Sequence, residues 1–394
     1  MNEKLLAEAV QEFINANLNA DINEIALAKS KFDGITAAEL AGQLVSKKKA
    51  EKKLPTWFQT PDIYYPPALS IEQTSSEVTA QYKSKLAIGD SLIDLTGGFG
   101  IDAYYFAKEI SQVTHCEINP ELSEVAARNA KILGAENISF EAVDGMAFVA
   151  NGNQQYDTIY IDPARRADKG KVFMLKDCTP DVTSNLDLLF QKTSRIIIKT
   201  APLLDITAGL SELKSVSEIH IVSVKNECRE LLWILDEGFS GRPKIIAVTL
   251  NEKEKVFNFE KVESDAAVLF ADDISSFSYL YEPDAALLKT GAFNLIASRF
   301  QLVKLHPQTQ LYTSNNFDSN FPGRVFEIEH QLLAADLKKS GELKGNVIVR
   351  NYPAKPEDLV KKYKIKSSQK QFLIFTKVAS GENIIIQASI IQHY

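Results

Sequence analysis

S-L-I-D-L-T-G-G-F-G-I-D-A-Y-Y-F (residues 91–106) is the stretch that decides the fold. Leu92, Ile93 and Leu95 make the short apolar run of a buried strand. Asp94 stands near its end, a glycine turn follows at 97–100, and a helix begins around Asp102. Glycines are required in such a turn if a ligand lies against the main chain, because a Cβ would occupy its volume.

From Asp90 to about Leu250 the sequence alternates strands and helices at βαβ spacing. Strands are expected at Ser91–Leu95, Gln112–Glu117, Ile138–Glu141, Thr158–Ile161, Arg195–Lys199, Glu218–Val224 and Leu231–Leu235. Helices fall between the first five, such as Asp102–Ile110 and Glu121–Leu133, and the last two strands read as a hairpin through V-K-N-E-C-R-E-L-L. Five parallel strands ending in an antiparallel pair give a seven-stranded, doubly wound α/β sheet.

The flanks read differently. Residues 1–80 are expected to be a helical region, with helices over Asn23–Ala28 and Thr36–Lys47 and another starting at Glu77, capped by Ser75 or Ser76. The run K-K-K-A-E-K-K (47–53) suits either a solvated helix end or a phosphate-contacting patch. L-P-T-W-F-Q-T-P-D-I-Y-Y-P-P (54–67) reads as an irregular packed connector. After the sheet domain (81–250) come a linking α+β segment (251–320), in which residues 281–295 open like a helix, and a small α+β domain (321–394). That last domain is expected to have strands at Val325–Gln331, Asn346–Arg350, Phe372–Thr376 and Ile384–Ile390, with helices near Leu333–Ser340 and Pro356–Tyr363.

Composition narrows the function. A chain of 394 residues exceeds one ordinary domain, and 45% apolar with 24% charged residues is a globular balance. The net charge of -7 does not announce nucleic-acid binding, yet Leu337–Lys370 holds ten Lys/Arg against three acids. That +7 stretch suits either a solubilised face or a nucleic-acid surface, with Lys361 and Lys362 as candidate contacts. Three cysteines without C-x-x-C spacing point to reduced thiols. An acidic, helical start and the lack of an apolar run near ~18 residues point to a cytoplasmic chain without a membrane span. Five histidines and the scattered acids form no metal signature.

The glycine turn permits two ligands. G-F-G-I-D-A (98–103) fits the dinucleotide fingerprint G-x-G-x-x-A and equally a loop for S-adenosyl-L-methionine, with Asp94 closing the strand and Gly98 and Gly100 admitting the ligand. Glu117, 20 residues beyond Gly97, suits the ribose hydroxyls of either. The third and fourth strands discriminate. Asp144 in A-V-D-G-M-A falls where an acid would meet an adenine amino group, and Asp162-Pro163 in Y-I-D-P-A-R-R follows the fourth strand. A carboxylate fixed there could accept a hydrogen bond from an exocyclic amine and ease its proton loss. A dehydrogenase gives no reason for it.

D-L-T-G-G-F-G-I-D, E-I-N-P, V-D-G and Y-I-D-P-A-R resemble the motifs of class I S-adenosylmethionine-dependent methyltransferases. The first, with Thr96 and Asp102, is similar to that of ribosomal RNA guanine-N2 methyltransferases, and Q-T-S-S-E-V-T-A (73–80) to the lead-in of trimethylguanosine synthases. The whole layout resembles bacterial methyltransferases with a THUMP-like C-terminal domain, which implies an RNA substrate, tRNA or rRNA, gripped by the flanking regions. The resemblance implies that Asp94, Thr96, Gly98, Gly100 and Asp102 form the loop at the methionine end of the cofactor, that Glu117 holds the ribose and Asp144 the adenine. Asp162 and Pro163 would then be catalytic, orienting the acceptor amine. Ala164 and Arg165 replace the second proline and the aromatic of the usual amino-methyltransferase motif; Arg165 can hold substrate by stacking or by a phosphate contact. Asp-Pro followed by Arg also resembles uracil-C5 methyltransferases, which need a cysteine nucleophile, and Cys228 is the candidate. Lys199, ending the fifth strand, either faces the substrate or is simply exposed. The competing functions are methylation of a small molecule or protein, and an RNA-binding protein that keeps the fold without catalysis.

Overall fold

The computed structural model describes residues 1–165, 174–334, 337 and 343–394. Arg166, Lys338, Lys339, Glu342 and most of the helix expected near Leu333–Ser340 lie outside the described residues. The chain forms two compact units, Met1–Ser217 with Leu232–Gly241, and Glu218–Leu231 with Arg242–Tyr394.

The first unit opens with helices. The longest, α1 (Ala37–Lys53), begins with a capping box in which the Thr36 hydroxyl accepts from the Glu39 N–H and Glu39 accepts from the Thr36 N–H. The lysine run lies in its last turns, where cations complement the helix dipole. Those lysines are engaged locally: Lys48 pairs with Glu51 at 2.8 Å, Lys49 with Glu72, and Lys53 donates to the Ile71 and Glu72 carbonyls. Lys47 is buried over the Phe58 ring, and desolvation lowers its pKa. The connector is packed, with Trp57 and Tyr65 buried, but it is not irregular throughout: Pro55–Gln59 forms a short helix with Pro55 at its first position. Helix α2 (Glu77–Ser84) follows, with the Ser76 hydroxyl as its cap.

Five parallel strands come next: β1 (Ser91–Asp94), β2 (Gln112–Cys116), β3 (Ile138–Glu141), β4 (Tyr156–Ile161) and β5 (Thr193–Thr200). They lie in the order β3-β2-β1-β4-β5. Chain order reverses between β1 and β4, so the crevice outside their carboxyl ends is the switch point where open α/β sheets bind ligands. Helix α3 (Ile101–Phe106) leaves β1, and α4 (Pro120–Ile132) leaves β2 with the Asn119 side chain as cap. The hairpin is present as β6 (Val216–Val224) and β7 (Glu227–Asp236). Its turn residues Lys225 and Asn226 both have positive φ, +52° and +60°, the primed turn that matches hairpin twist. Two unanticipated strands, β8 (Lys244–Leu250) and β9 (Glu254–Glu260), extend the sheet to β9-β8-β6-β7-β5-β4-β1-β2-β3.

The second unit has its own seven-stranded sheet: β10 (Tyr279–Pro283), β11 (Val303–His306), β12 (Thr309–Ser314), β13 (Gly323–Leu332), β14 (Asn346–Val349), β15 (Gln371–Lys377) and β16 (Asn383–Gln392). The spatial order is β11-β12-β10-β13-β16-β15-β14. Tyr281–Pro283 is strand rather than helix start: Leu280 and Tyr281 are fully buried in the sheet. The helix starts only at Ala285, capped by Asp284, and ends at Gly291 with φ +72°. Leu280, Phe326, Ile374 and Ile386 form the centre of the core. Helix α5 (Pro356–Tyr363) links the parallel strands β14 and β15; it buries Leu359 and Tyr363 and exposes Lys361 and Lys362.

Gly209 of the helix Ile206–Glu212 shows how tightly the first unit packs. A Cβ there would lie 2.3 Å from the ring of Trp233, which is fully buried and donates to the Thr200 hydroxyl at 3.0 Å. Alanine is favoured over glycine in a helix by about 1 kcal/mol, but overpacking costs about 1–3 kcal/mol. Gly209→Ala is therefore expected to lower the urea midpoint with an unchanged slope.

Candidate active site

A cavity of about 430 Å³ opens at the carboxyl ends of β1, β2 and β4. The glycine turn, the strand-end acids and the segment 70–75 just before α2 wall it. Of the expected site residues, Asp94, Thr96, Gly98, Asp102, Glu117, Asp144 and Asp162 line it.

The turn is held by its neighbours. Thr96 N–H donates to Asp94 Oδ1 at 2.9 Å, and its hydroxyl lies 3.3 Å from the same oxygen. That hydroxyl also accepts the Asp162 N–H at 2.7 Å, which joins the ends of β1 and β4. Gly98 N–H donates to Glu117 Oε2 at 2.9 Å, while Asn119 N–H donates to Oε1 at 2.8 Å, so the carboxylate is fixed between the turn and the start of α4. Gly98 has φ +55°, and a Cβ on it would meet only the Thr96 carbonyl, at 3.9 Å; the space beyond belongs to the cavity. Gly97 serves packing instead, because a Cβ would lie 2.2 Å from the His115 ring. Burial pushes His115 down to about 4, which leaves a neutral strand residue outside the cavity lining.

Two lysines balance the acids. Lys83 of α2 is fully buried, with Nζ 3.2 Å from Asp102 Oδ1 and 2.7 Å from the Ser75 hydroxyl. Asp102 Oδ2 accepts from Ser75 and from the Tyr160 hydroxyl, each at 2.8 Å. Burial pushes Asp102 up, but Lys83, Lys199, Tyr160 and Ser75 together bring its pKa below the ordinary value. Lys199 Nζ pairs with Asp162 Oδ2. It therefore faces the cavity's acid rather than open solvent. Asp94 is 1% exposed, and burial pushes it up to about 8, with Asp102 and Asp162 adding to the rise.

The other expected residues sit as follows. Gly100 caps α3 with φ +81°, and a Cβ would press on Ala126 at 3.2 Å, so it fits α3 against α4. Asp144 caps the helix Gly145–Asn151 by accepting the Ala147 N–H at 2.9 Å. Pro163 is buried and does not line the cavity, unlike its neighbours Asp162 and Ala164. The Arg165 backbone pairs with Cys178 in a two-residue ladder; its side chain lies outside the described structure. Lys361 and Lys362 belong to the second unit. Cys228 is also in that unit, and burial raises its thiol to about 11, away from an activated nucleophile. Sequence reasoning missed Lys83, Thr179 and Pro180; the latter two reach the cavity from beyond β4. No group of three potential metal ligands occurs among the described residues.

Asp94 sets a pH dependence. An aspartate titrates near 3.8 in the unfolded chain and near 8 here, so the folded state holds an extra proton between those values. Its contribution to stability is complete below about pH 4 and is lost as pH rises through about 8. In Asp94→Asn the drop in urea midpoint from pH 5 to pH 8.5 should be smaller than in the wild type.

Residues 279–322 match the family model of a ferredoxin-like domain, and residues 323–389 that of a THUMP-like domain. The crystal structure of a candidate methyltransferase from Porphyromonas gingivalis W83 is similar over 99% of both chains, with 30% sequence identity and a TM-score of 0.85. The 23S rRNA (uracil(747)-C(5))-methyltransferase RlmC of Yersinia pestis (strain Pestoides F) is 28% identical over 159 residues, 38% of this chain and 41% of that one. RlmC of Yersinia enterocolitica is 27% identical over the same length. The chain thus spans about four-tenths of the curated relatives it matches. Similar to the P. gingivalis protein from end to end and carrying a THUMP-like domain, the chain belongs to the methyltransferases with a THUMP-like domain.

Proposed function

We propose that the chain is an S-adenosylmethionine-dependent methyltransferase acting on an exocyclic amine of an RNA base. The observation that carries this reading is Asp162, whose carboxylate meets the glycine turn in one cavity.

The cavity's chemistry favours this cofactor over a dinucleotide. Four carboxylates line it, Asp102, Glu117, Asp144 and Asp162, beside Asp94, which keeps its proton up to about pH 8. Such a lining suits a ligand with a sulfonium and an ammonium group and repels a pyrophosphate. Open space above Gly98 leaves room for a ligand against the turn. Glu117 would hold the ribose and Asp144 the adenine end. When bound, S-adenosylmethionine supplies a methyl group on an already activated leaving group, so the protein's task is alignment. Asp162 would accept a hydrogen bond from the acceptor amine, direct its lone pair and favour proton loss. Lys199 fixes that carboxylate by binding one of its oxygens. Exposed Lys361 and Lys362 on α5 would contact RNA phosphates.

The names of the partial relatives favour a second reading, the C5 atom of uracil in RNA. That chemistry needs a thiolate. Cys116 lines the cavity, but burial drives its thiol up to about 12. With Cys228 also raised, the amine reading is preferred.

Tritiated-methyl transfer into RNA, protein and small-molecule fractions of cells lacking the protein, followed by nucleoside analysis, tests the proposal. An N-methylated base is expected; label confined to protein or small molecules, or 5-methyluracil, would sink the amine reading. Calorimetry should show binding of S-adenosylhomocysteine and none of NAD. Asp162→Ala should keep that affinity and lose transfer by about 10²-fold or more. Lys361→Glu with Lys362→Glu should weaken RNA binding and flatten its salt dependence; an unchanged slope would remove α5 from the RNA surface.

A further inference from the structure

The cavity wall formed by residues 70–75 comes from the N-terminal helical region, outside the sheet. Ser70, Gln73, Thr74 and Ser75 face the cavity. The segment makes local hydrogen bonds, such as Thr74 N–H to the Ser70 carbonyl at 3.2 Å and the Thr74 hydroxyl to the Ile71 carbonyl at 2.9 Å, and is tied to α1 by Lys49 on Glu72 and Lys53 on the Ile71 and Glu72 carbonyls. Two things join the segment to the glycine turn: Ile71, which shares a core cluster with Phe99 and Ile101, and the ionic cluster on α2 and α3. The Ser75 hydroxyl accepts from Lys83 and donates to Asp102, and Asp102 follows Gly100 by two residues. Tyr160 completes the cluster from β4. A second polar contact joins the same helices: Glu77 accepts from the Tyr105 hydroxyl at 3.0 Å and from the Thr56 N–H at 2.6 Å.

A buried ion pair is costly to keep, and apolar side chains of similar volume in place of both Lys83 and Asp102 would often serve stability as well. The charge is therefore better explained by what it aligns. We infer that Lys83 is a positioning residue for the methyl donor: through Ser75 and Asp102 it holds the 70–75 wall against the glycine turn, so that the cavity is preformed before the ligand enters. This rests on the cofactor assignment proposed above. It also gives the N-terminal helical region a role beyond contact with RNA, as one side of the donor pocket.

The test pairs two readouts on the full chain. Hydrogen exchange of amides 71–76 without ligand reports the wall, and S-adenosylhomocysteine affinity reports its use. Lys83→Met is expected to speed exchange in this segment at least tenfold and weaken S-adenosylhomocysteine binding at least tenfold. Gly209→Ala, chosen as a variant destabilised elsewhere in the unit, should change neither. If Lys83→Met fails to fold, Ser75→Ala removes the same bridge without leaving a buried charge unpaired, and should shift both readouts in the same direction. Unchanged exchange at 71–76, an equal change in Gly209→Ala, or faster exchange with unaltered affinity would each overturn the inference. A wild type that binds no S-adenosylhomocysteine would overturn the cofactor assignment instead, and the exchange data would still judge the clasp.

Discussion

The hydrogen bond from the Asp162 N–H to the Thr96 hydroxyl governs the geometry of this site. Parallel strands diverge beyond their last ladder bonds, and here β1 and β4 must present their next residues to one cavity. Thr96 closes that gap: its hydroxyl accepts from one strand end and meets the carboxyl group of Asp94 on the other. A glycine at position 96 would leave the Asp162 amide to find another partner. The side chain of Asp162 would then be aimed by Lys199 alone.

Crowding acids into a small volume creates a second constraint. Asp94, Asp102 and Asp162 influence one another, and three bare carboxylates would repel strongly in a buried setting. Each has its own remedy. Asp162 has Lys199, and Asp102 has Lys83 with two hydroxyls. Asp94, fully enclosed, holds its proton to about pH 8. Glu117 and Asp144 are steadied by backbone N–H groups instead. The cavity can thus remain acidic toward a cationic ligand without forcing its own walls apart.

The parts of this arrangement that obey a local rule were legible in the sequence. The strand–acid–glycine turn, the acid ending β2 and the Asp-Pro after β4 each occupy a position set by chain direction alone. What escaped depended on tertiary contact. Lys83 in Q-Y-K has the look of a solvated helix residue; nothing nearby in sequence reveals that it pairs with Asp102. Lys199 could be read either way until Asp162 was seen beside it. The lysine run of α1 kept two meanings because its partners, Glu72 and the Ile71 carbonyl, lie about twenty residues away. Pro283 and Asp284 suggested a helix start two residues too broadly: Asp284 does cap a helix, but Pro283 ends an inner strand, where it pairs with Gly323. The strand K-I-I-A-V-T-L was unread although its apolar run is plain, because the expected sheet was already complete at the hairpin.

That hairpin also shapes what the chain can be divided into. The first unit ends at Ser217 and resumes at Leu232–Gly241, and residues 218–231 belong to the second. Neither unit is a continuous piece of sequence. One break at 217 would remove the whole of β7 from its place beside β5 and leave β5 with an open edge. One break after 241 would remove from the second unit the tip that supplies Ser223 to Asp284 and Asn226 to the Ala285 N–H. Gene fission or domain shuffling, which act by single cuts, would damage one unit wherever the cut fell near this junction. A single cut near this junction therefore cannot separate the unit with the cavity from the unit with the THUMP-like domain and leave both intact.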